Sequence, residues 1–352
     1  MTATVKSLTQ LVQLATERPS ALKMPETGPL LDRHGRVHSD LRISVTDRCN
    51  IRCFYCMPEE GGEFAPNSQL MGFSQLVRAA KIGVGLGISK IRLTGGEPLL
   101  RPRLAELISQ LAALPLNDLA LTTNGVLLAR QAKELRQAGL RRLNIHLDSL
   151  DRERFRRISR RDELRRVLAG IEAATAQGFD FKLNAVAVKN LSEPDLVPLV
   201  RFARQCGVEI RFIEFMPLDG QNLWDGAQVL TADEMIDILE TEFGPLRPID
   251  DPDPRAPATE YEFADGSRVG FIASVSRPFC QNCNRLRLTS DGKLRNCLFA
   301  REETDIRRAL QSGSDDELEF LFRTTIWKKW PGHQIGQSAF EAPRRPMYSI
   351  GG

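Results

Sequence analysis

The sequence predicts an open, TIM-like partial (β/α)6 barrel, and three observations predict it. Short apolar segments alternate six times with stretches of 3.6-residue apolar periodicity. Regular βαβ alternation means parallel strands joined by right-handed crossovers. Six units are two short of a closed eight-stranded barrel, so the wall has a gap. The composition then changes after Phe243, where Pro245, Pro248, Pro252, Pro254 and Pro257 break the chain into a linker. The region beyond it is expected to close the gap. A doubly wound sheet is the rival architecture.

Residues 1–36 read as a polar, loosely held N-terminal extension carrying Pro19, Pro25, Pro29 and Gly35, with one short helix at 6–16. The barrel is expected over 37–244. Leu41–Val45 alternates as a strand, and a helix over 74–86 stops at Gly87. Ile91-Arg92-Leu93 is a strand that runs into Thr94-Gly95-Gly96-Glu97-Pro98. Leu104, Leu107, Ile108, Leu111 and Leu114 share one helix face. Leu119-Ala120-Leu121 ends at Thr122-Thr123-Asn124-Gly125, and a helix follows to Gly139. Leu143–Asp148 is a strand, followed by helical stretches at 151–158 and 163–177. Phe181–Val188 alternates as a strand before a helix from Glu193 to Cys206. Val208–Phe215 is the sixth strand, ending at Met216-Pro217, and Thr231 with Glu234 forms a capping box for a helix to Phe243. Residues 245–352 hold the linker, a hairpin at 259–275, a charged helical stretch at 301–323 and a Gly/Pro-rich tail. The polar, glycine-containing motifs follow the strands' C-terminal ends, the rim where parallel α/β folds build their sites.

The seven cysteines fall as 49/53/56, 280/283/297 and a lone Cys206. Two clustered trios point to metal rather than to disulfides. Cys206 closes an amphipathic helix and reads as a packed thiol. The first trio has C-x3-C-x2-C spacing. A [4Fe–4S] cubane is normally held by four thiolates, so three leave one iron open to a substrate. Three cysteines and a histidine around zinc are the alternative. The second trio, C-x2-C-x13-C, reads as readily as a truncated zinc ribbon. Two incomplete zinc sites would each need a fourth ligand from His34, His38, His146, His333 or a carboxylate. Two cubanes would need none.

A net charge of +3 is too small to imply nucleic acid. Arg42, Arg48, Arg52, Arg92, Arg285 and Arg287 all lie beside these motifs, which points to an anionic ligand. No apolar run approaches the ~20 residues of a membrane span. No secretory signal is read at the N-terminus. A cytoplasmic chain without membrane or nucleic-acid partners is expected.

Asp47-Arg48-Cys49-Asn50-Ile51-Arg52-Cys53-Phe54-Tyr55-Cys56-Met57-Pro58 resembles the radical S-adenosylmethionine (SAM) signature, and Thr94–Pro98 resembles the element that contacts the SAM amino group. The second trio, Asn284-Arg285-Leu286-Arg287-Leu288-Thr289 and the terminal Gly351-Gly352 resemble one subfamily, the GTP 3′,8-cyclases of molybdenum cofactor biosynthesis. The resemblance covers roughly residues 30–352.

It implies two [4Fe–4S] clusters, on Cys49, Cys53 and Cys56 and on Cys280, Cys283 and Cys297. SAM would chelate the first, beside Tyr55, Gly96 and Met216. The position that usually holds a serine against SAM is His146 here. GTP would meet Arg42, Arg92, Thr122, Lys182, Arg285 and Arg287, with its guanine toward the second cluster, and Gly351 and Gly352 would assist catalysis. The implied reaction converts GTP to (8S)-3′,8-cyclo-7,8-dihydroguanosine 5′-triphosphate through a 5′-deoxyadenosyl radical that takes hydrogen from C3′. The implied partners are an electron donor such as flavodoxin or ferredoxin, a downstream cyclic pyranopterin monophosphate synthase, and a second copy in a homodimer. A peptide-modifying maturase with an auxiliary cluster is the alternative enzyme, and a zinc-stabilised binding protein the alternative outside catalysis.

Overall fold

The computed structural model describes residues 23–219, 224–249, 253–337 and 340–351; the helix expected at 6–16 and Gly352 lie outside the described residues. The six expected strands form: β1 (Asp40–Ser44), β2 (Lys90–Thr94), β3 (Asp118–Thr123), β4 (Arg142–His146), β5 (Asp180–Ala187) and β6 (Ile210–Glu214). Helices α1 (Phe73–Gly85), α2 (Leu104–Ala112) and α3 (Leu128–Gln137) follow the first three. Two helices, α4 (Arg152–Ser159) and α5 (Leu164–Ala176), follow β4, and α6 (Glu193–Cys206) and α7 (Ala232–Phe243) complete the series.

Local chemistry sets the boundaries. The Asp151 side chain accepts the Arg154 N–H at 2.8 Å and starts α4. Thr231 and Glu234 make the reciprocal capping box of α7. Gly207, in the left-handed region at φ +67°, stops α6. Along the strands, residues such as Leu41, Ile43, Ile91, Leu93, Leu143 and Leu183 are buried in the core shared with the helices. The alternate positions are therefore turned the other way, toward the barrel interior.

Past the linker the chain adds β7 (Arg247–Pro248), β8 (Thr259–Glu262), β9 (Arg268–Ile272), β10 (Arg285–Leu288), β11 (Lys293–Arg295) and β12 (Thr304–Asp305). Helices α8 (Arg307–Ser312), α9 (Asp315–Trp327) and α10 (Met347–Ile350) follow. One sheet runs β12-β11-β10-β1-β2-β3-β4-β5-β6-β9-β8-β7. Strand β10 pairs parallel with β1, and β9 pairs parallel with β6. The parallel core thus has two more strands than the sequence suggests, one at each edge. Strand β9 is reached through the β8 hairpin and β10 through the 273–284 connection, rather than through a further strand–helix unit, which is why the alternation missed them. Strands β9 and β10 do not pair among the described residues, so the barrel stays open.

The β9–β10 connection, residues 273–284, carries Cys280 and Cys283 from one edge of the core to the other. It also returns the chain to the strands' N-terminal ends, because Arg285 pairs with Asp40, the first residue of β1. Cys49, Cys53 and Cys56 follow β1 and sit at the C-terminal rim. The trios therefore occupy opposite rims. Cys280 and Cys283 precede parallel strand β10 and lie at its start, and antiparallel β11, with Arg295 opposite Arg287, returns Cys297 to the same end.

Residues 30–38 are also firmly held. Leu30 is fully buried, its N–H donates to Leu86 O at 3.0 Å, and His38 N–H returns to Leu30 O at 2.8 Å. Buried Asp32 accepts from Arg36 Nε at 2.6 Å and pairs with His38 Nε2 at 3.0 Å. Burial pushes the His38 pKa down to about 4, against the pull of Asp32 and with help from the Lys329 and Arg36 charges. Its Nδ1 is buried without a partner, so a proton there would be a stranded donor. The unfolded chain takes that proton near pH 6.5. Stability is therefore expected to fall by on the order of 3 kcal/mol as pH drops from about 6.5 to 4, the window between the two pKa values. Urea midpoints across that range, compared with His38→Asn, check this; the variant should lose most of the slope.

Candidate active site

Strand register builds the site in rows. Arg287 of β10 aligns with Arg42 of β1, which aligns with Arg92 of β2. Thr122, Asn144 and Lys182 align across β3, β4 and β5. His146, Asn184 and Arg211 form the next row. A cavity of about 310 Å³ is lined from β1–β6, β9 and β10 together, which only a curled sheet allows. Its size suits a small-molecule ligand.

Both cysteine trios open onto this cavity, as do Arg42, Arg92, Thr122, Arg285, Arg287, Tyr55, Gly96, His146 and Met216. Lys182 is not part of the lining. Its ammonium is ion-paired with Glu209, and with Glu260 at 3.2 Å. Arg211, one row nearer the C-terminal rim, lines the wall instead and pairs with the same glutamates at 2.5 and 2.6 Å. Met347 contributes from the tail. The Gly351 carbonyl accepts a hydrogen bond from Arg287 Nη1, and a Cβ on Gly351 would stand 2.9 Å from Ser44 Cβ and 3.1 Å from Thr94 Cγ2, at the ends of β1 and β2.

The first trio's loop is held by backbone pairing. Val45 N–H donates to Thr94 O at 2.9 Å, Gly96 N–H to Thr46 O at 2.8 Å and Glu97 N–H to Arg48 O at 2.7 Å. A Cβ on Gly96 would stand 2.3 Å from Arg48 O, so only glycine fits. The Glu97 carboxylate is consumed internally, by Leu99 N–H at 3.0 Å, the Thr123 hydroxyl at 2.8 Å and Asn124 N–H at 2.7 Å. Burial lifts its pKa to about 7. Asn124 Nδ2 then reaches Cys49 Sγ at 3.7 Å. Burial pushes the Cys49 thiol up to about 11 and raises Cys53 and Cys56 as well.

Tyr55 and His146 converge on Asp148. The Tyr55 hydroxyl donates to Asp148 Oδ2 at 2.6 Å, and His146 Nε2 lies 2.8 Å from the same oxygen. Oδ1 accepts Val186 N–H at 2.8 Å. Burial disfavours charge on His146, but the adjacent Asp148 carboxylate outweighs it and raises the pKa.

The second trio sits among cations. Burial would raise Cys283, yet the Arg285 and Lys329 charges bring it down to about 6. Burial, then the Arg285 charge, brings Arg287 down to about 10. Burial also lowers Arg42, followed by the Arg287 charge, and lowers Arg92. Arg42 Nε, Arg92 Nε, and Nε and Nη2 of Arg285 are buried without hydrogen-bond partners. Arg285 also lies over the Phe279 ring at 4.6 Å. Buried guanidinium donors facing a cavity without acceptors are a site for a polyanion.

Among the described residues no group of three His, Cys, Asp or Glu side chains that could hold a single metal ion is found. A cubane takes each thiolate on a different iron and needs no common centre. All seven cysteines are free, and the residues present fit a cluster at each rim.

Asn124, Asn184, Arg211 and Lys329 also line the cavity and were not singled out from the sequence. Alternation within 208–215, with Ile210 and Phe212 buried, could have placed Arg211 on the inner face. Lys329 follows a helix, and no period points to it.

Comparison with known proteins agrees with this geometry. The radical SAM superfamily model matches residues 43–203, and the Molybdenum Cofactor Synthesis C model matches 208–335. The GTP 3′,8-cyclase of Rhodopirellula baltica is 48% identical over 330 residues, covering 92% of each chain. That of Mycolicibacterium smegmatis is 47% identical over 337 residues, covering 93% of each. Among solved structures, anSMEcpe with bound AdoMet and Cp18Cys peptide shares the fold at TM-score 0.54 and 16% identity, covering 88% of this chain and 93% of that one. Streptococcus suis SuiB bound to S-adenosylmethionine does so at TM-score 0.58 and 14% identity, covering 82% of this chain and 65% of that one. The chain belongs to the radical SAM superfamily and, within it, to the family of the GTP 3′,8-cyclases.

Proposed function

We propose that this protein converts GTP to (8S)-3′,8-cyclo-7,8-dihydroguanosine 5′-triphosphate, the first step of molybdenum cofactor biosynthesis. The observation that carries this reading is one cavity with a cysteine trio at each rim and partnerless arginine donors between them. Two [4Fe–4S] clusters and SAM are the cofactors of this family. We assign the barrel, 37–244, to SAM and the region 245–352 to the second cluster and nucleotide, with 1–36 as an extension. Cys49, Cys53 and Cys56 hold the first cluster; Cys280, Cys283 and Cys297 hold the second. When bound, the first cluster and SAM supply a 5′-deoxyadenosyl radical by one-electron cleavage of the sulfonium.

The chain's own residues bind, orient and exclude water. GTP brings about four negative charges, and guanidinium groups pair bidentately with phosphate oxygens. Arg42, Arg92, Arg285 and Arg287 supply those donors, with Thr122 beside them. Lys182 acts through Glu209 and Glu260, which orient Arg211. Tyr55, Gly96, His146 and Met216 line the SAM end. Met347 and Gly351 cover the cavity from the tail and limit water, which a carbon-radical reaction must exclude. Each SAM cleaved takes one electron, so a low-potential flavodoxin or ferredoxin is the fitting donor. The product passes to cyclic pyranopterin monophosphate synthase, and the protein acts as a homodimer. Among the described residues no helix is long and apolar enough to cross a membrane; a cytoplasmic place of action is part of this proposal.

The test is anaerobic incubation of reconstituted protein with SAM, dithionite and GTP, followed by product analysis. Stoichiometric 5′-deoxyadenosine and cyclised GTP are expected. If 5′-deoxyadenosine appears only with a peptide substrate, the maturase reading replaces this one.

A further inference from the structure

Lys329 lies two residues past the last residue of α9 and is only 3% exposed. A buried ammonium needs an anionic or strongly accepting partner. Among the described residues Lys329 makes no ion pair with a carboxylate. Its Nζ donates to Arg285 O at 2.7 Å, two residues past Cys283, and the Cys283 and Cys297 charges are the largest that favour its protonated form. Lys329 also lines the cavity beside both cysteines.

The surrounding segment is clamped. Arg36 donates from Nη1 to Cys280 O at 2.7 Å and Pro331 O at 2.9 Å, and from Nη2 to Trp330 O at 2.6 Å. Asp32 fixes that guanidinium through Nε at 2.6 Å. His34 Nε2 lies 3.2 Å from Lys329 O. Residues ahead of the barrel thus fasten the Cys280 loop and the Lys329 segment to each other. Mere packing would not require one guanidinium to bind three carbonyls around a single lysine.

We infer that Lys329 is a positioning residue for the second cluster, presenting a fixed positive charge to the Cys283 sulfur and thereby raising the cluster's reduction potential. The inference rests on the assignment of Cys280, Cys283 and Cys297 to that cluster. Hydrogen bonds and charge at the sulfurs are among the main settings of cluster potential. One-electron reduction adds negative charge to the cluster, and a neighbouring cation favours the reduced form. At the first trio the nearby cation is Arg52, whose guanidinium donates to the Cys49 and Ile51 carbonyls at 2.5 and 2.9 Å and whose charge favours the Cys49 thiolate.

The test is a potentiometric titration of the reconstituted full-length protein, each cluster followed by its own EPR signal. With both clusters intact, Lys329→Met should leave the second cluster at least tenfold less reduced at a fixed potential, which is 59 mV for a one-electron couple. The first cluster should not move, and Lys329→Arg should stay within about threefold of the parent. Loss of the second cluster in Lys329→Met but not in Lys329→Arg would also support a role for the charge. Unchanged potentials in a fully loaded Lys329→Met protein would overturn the inference, as would equal loss of the cluster in both variants. Cys283→Ala separates the two levels: if it retains an unaltered second cluster, the ligand assignment itself is wrong.

Discussion

Gly96→Ala is expected to remove the first cluster and all SAM cleavage while sparing the second cluster. The Cβ would sit 2.3 Å from Arg48 O, 2.6 Å from Arg48 C and 2.8 Å from Asp47 O. These are backbone atoms, so no side-chain rotation relieves the clash. The two segments must separate, and the hydrogen bonds from Gly96 to Thr46 and from Glu97 to Arg48 go with them. Two lost buried backbone bonds cost about 2–6 kcal/mol. Cys49 begins one residue after Arg48, so the same displacement moves a ligand. Iron should fall from about eight to about four per chain, and 5′-deoxyadenosine should become undetectable. Gly85→Ala is the control. A Cβ there meets nothing within 4 Å, and the position is helical, so about 0.5–1 kcal/mol of added stability is expected. Normal 5′-deoxyadenosine formation by Gly96→Ala would mean that the loop yields without harm.

How much of this was legible depends on what each residue's position is set by. The six strands were legible because apolar residues facing the helices alternate with polar ones facing the cavity, and that contrast is written every second residue. Arg42 and Arg92 could be placed from it. Strands β9 and β10 were read as parts of a cover because their partners, β6 and β1, lie far away in sequence. Parallel pairing of β10 with β1 also decides that Cys283 reaches the N-terminal rim, and no local pattern encodes that choice. Lys182 sits on the inner face as its strand predicts, but Glu209 and Glu260 capture its ammonium. Glu260 comes from β8, past the linker. Asp32 and Arg36 read as part of a polar extension because burial of their charged network depends on partners found at 280 and 329–331.

Removing an arginine from the central row should weaken GTP binding without weakening the fold. Arg42 stands between Arg287 and Arg92, and no ion pair with a carboxylate joins Arg42 or Arg287 among the described residues. Burial lowers both; the Arg287 charge lowers Arg42 further, and the Arg285 charge lowers Arg287. The ligand-free protein therefore holds like charges close together in a dry place, an arrangement that a polyanion relieves. Arg42→Met keeps the length and apolar stem of the side chain and deletes the charge. Its ligand-free thermal midpoint should be unchanged or higher. GTP affinity should fall about 100-fold, near 3 kcal/mol, as expected for a charged bidentate donor lost from a desolvated site. The Arg42→Met, Arg287→Met double variant should lose at least as much again, and its preference for GTP over GMP should largely vanish. The Arg287 change also frees the Gly351 carbonyl, so product yield should drop further than affinity alone explains. Anaerobic equilibrium dialysis with GTP and GMP, run beside calorimetric melts of the ligand-free variants, reads both quantities. A row that served the fold would give the reverse result: lower melting with GTP affinity intact.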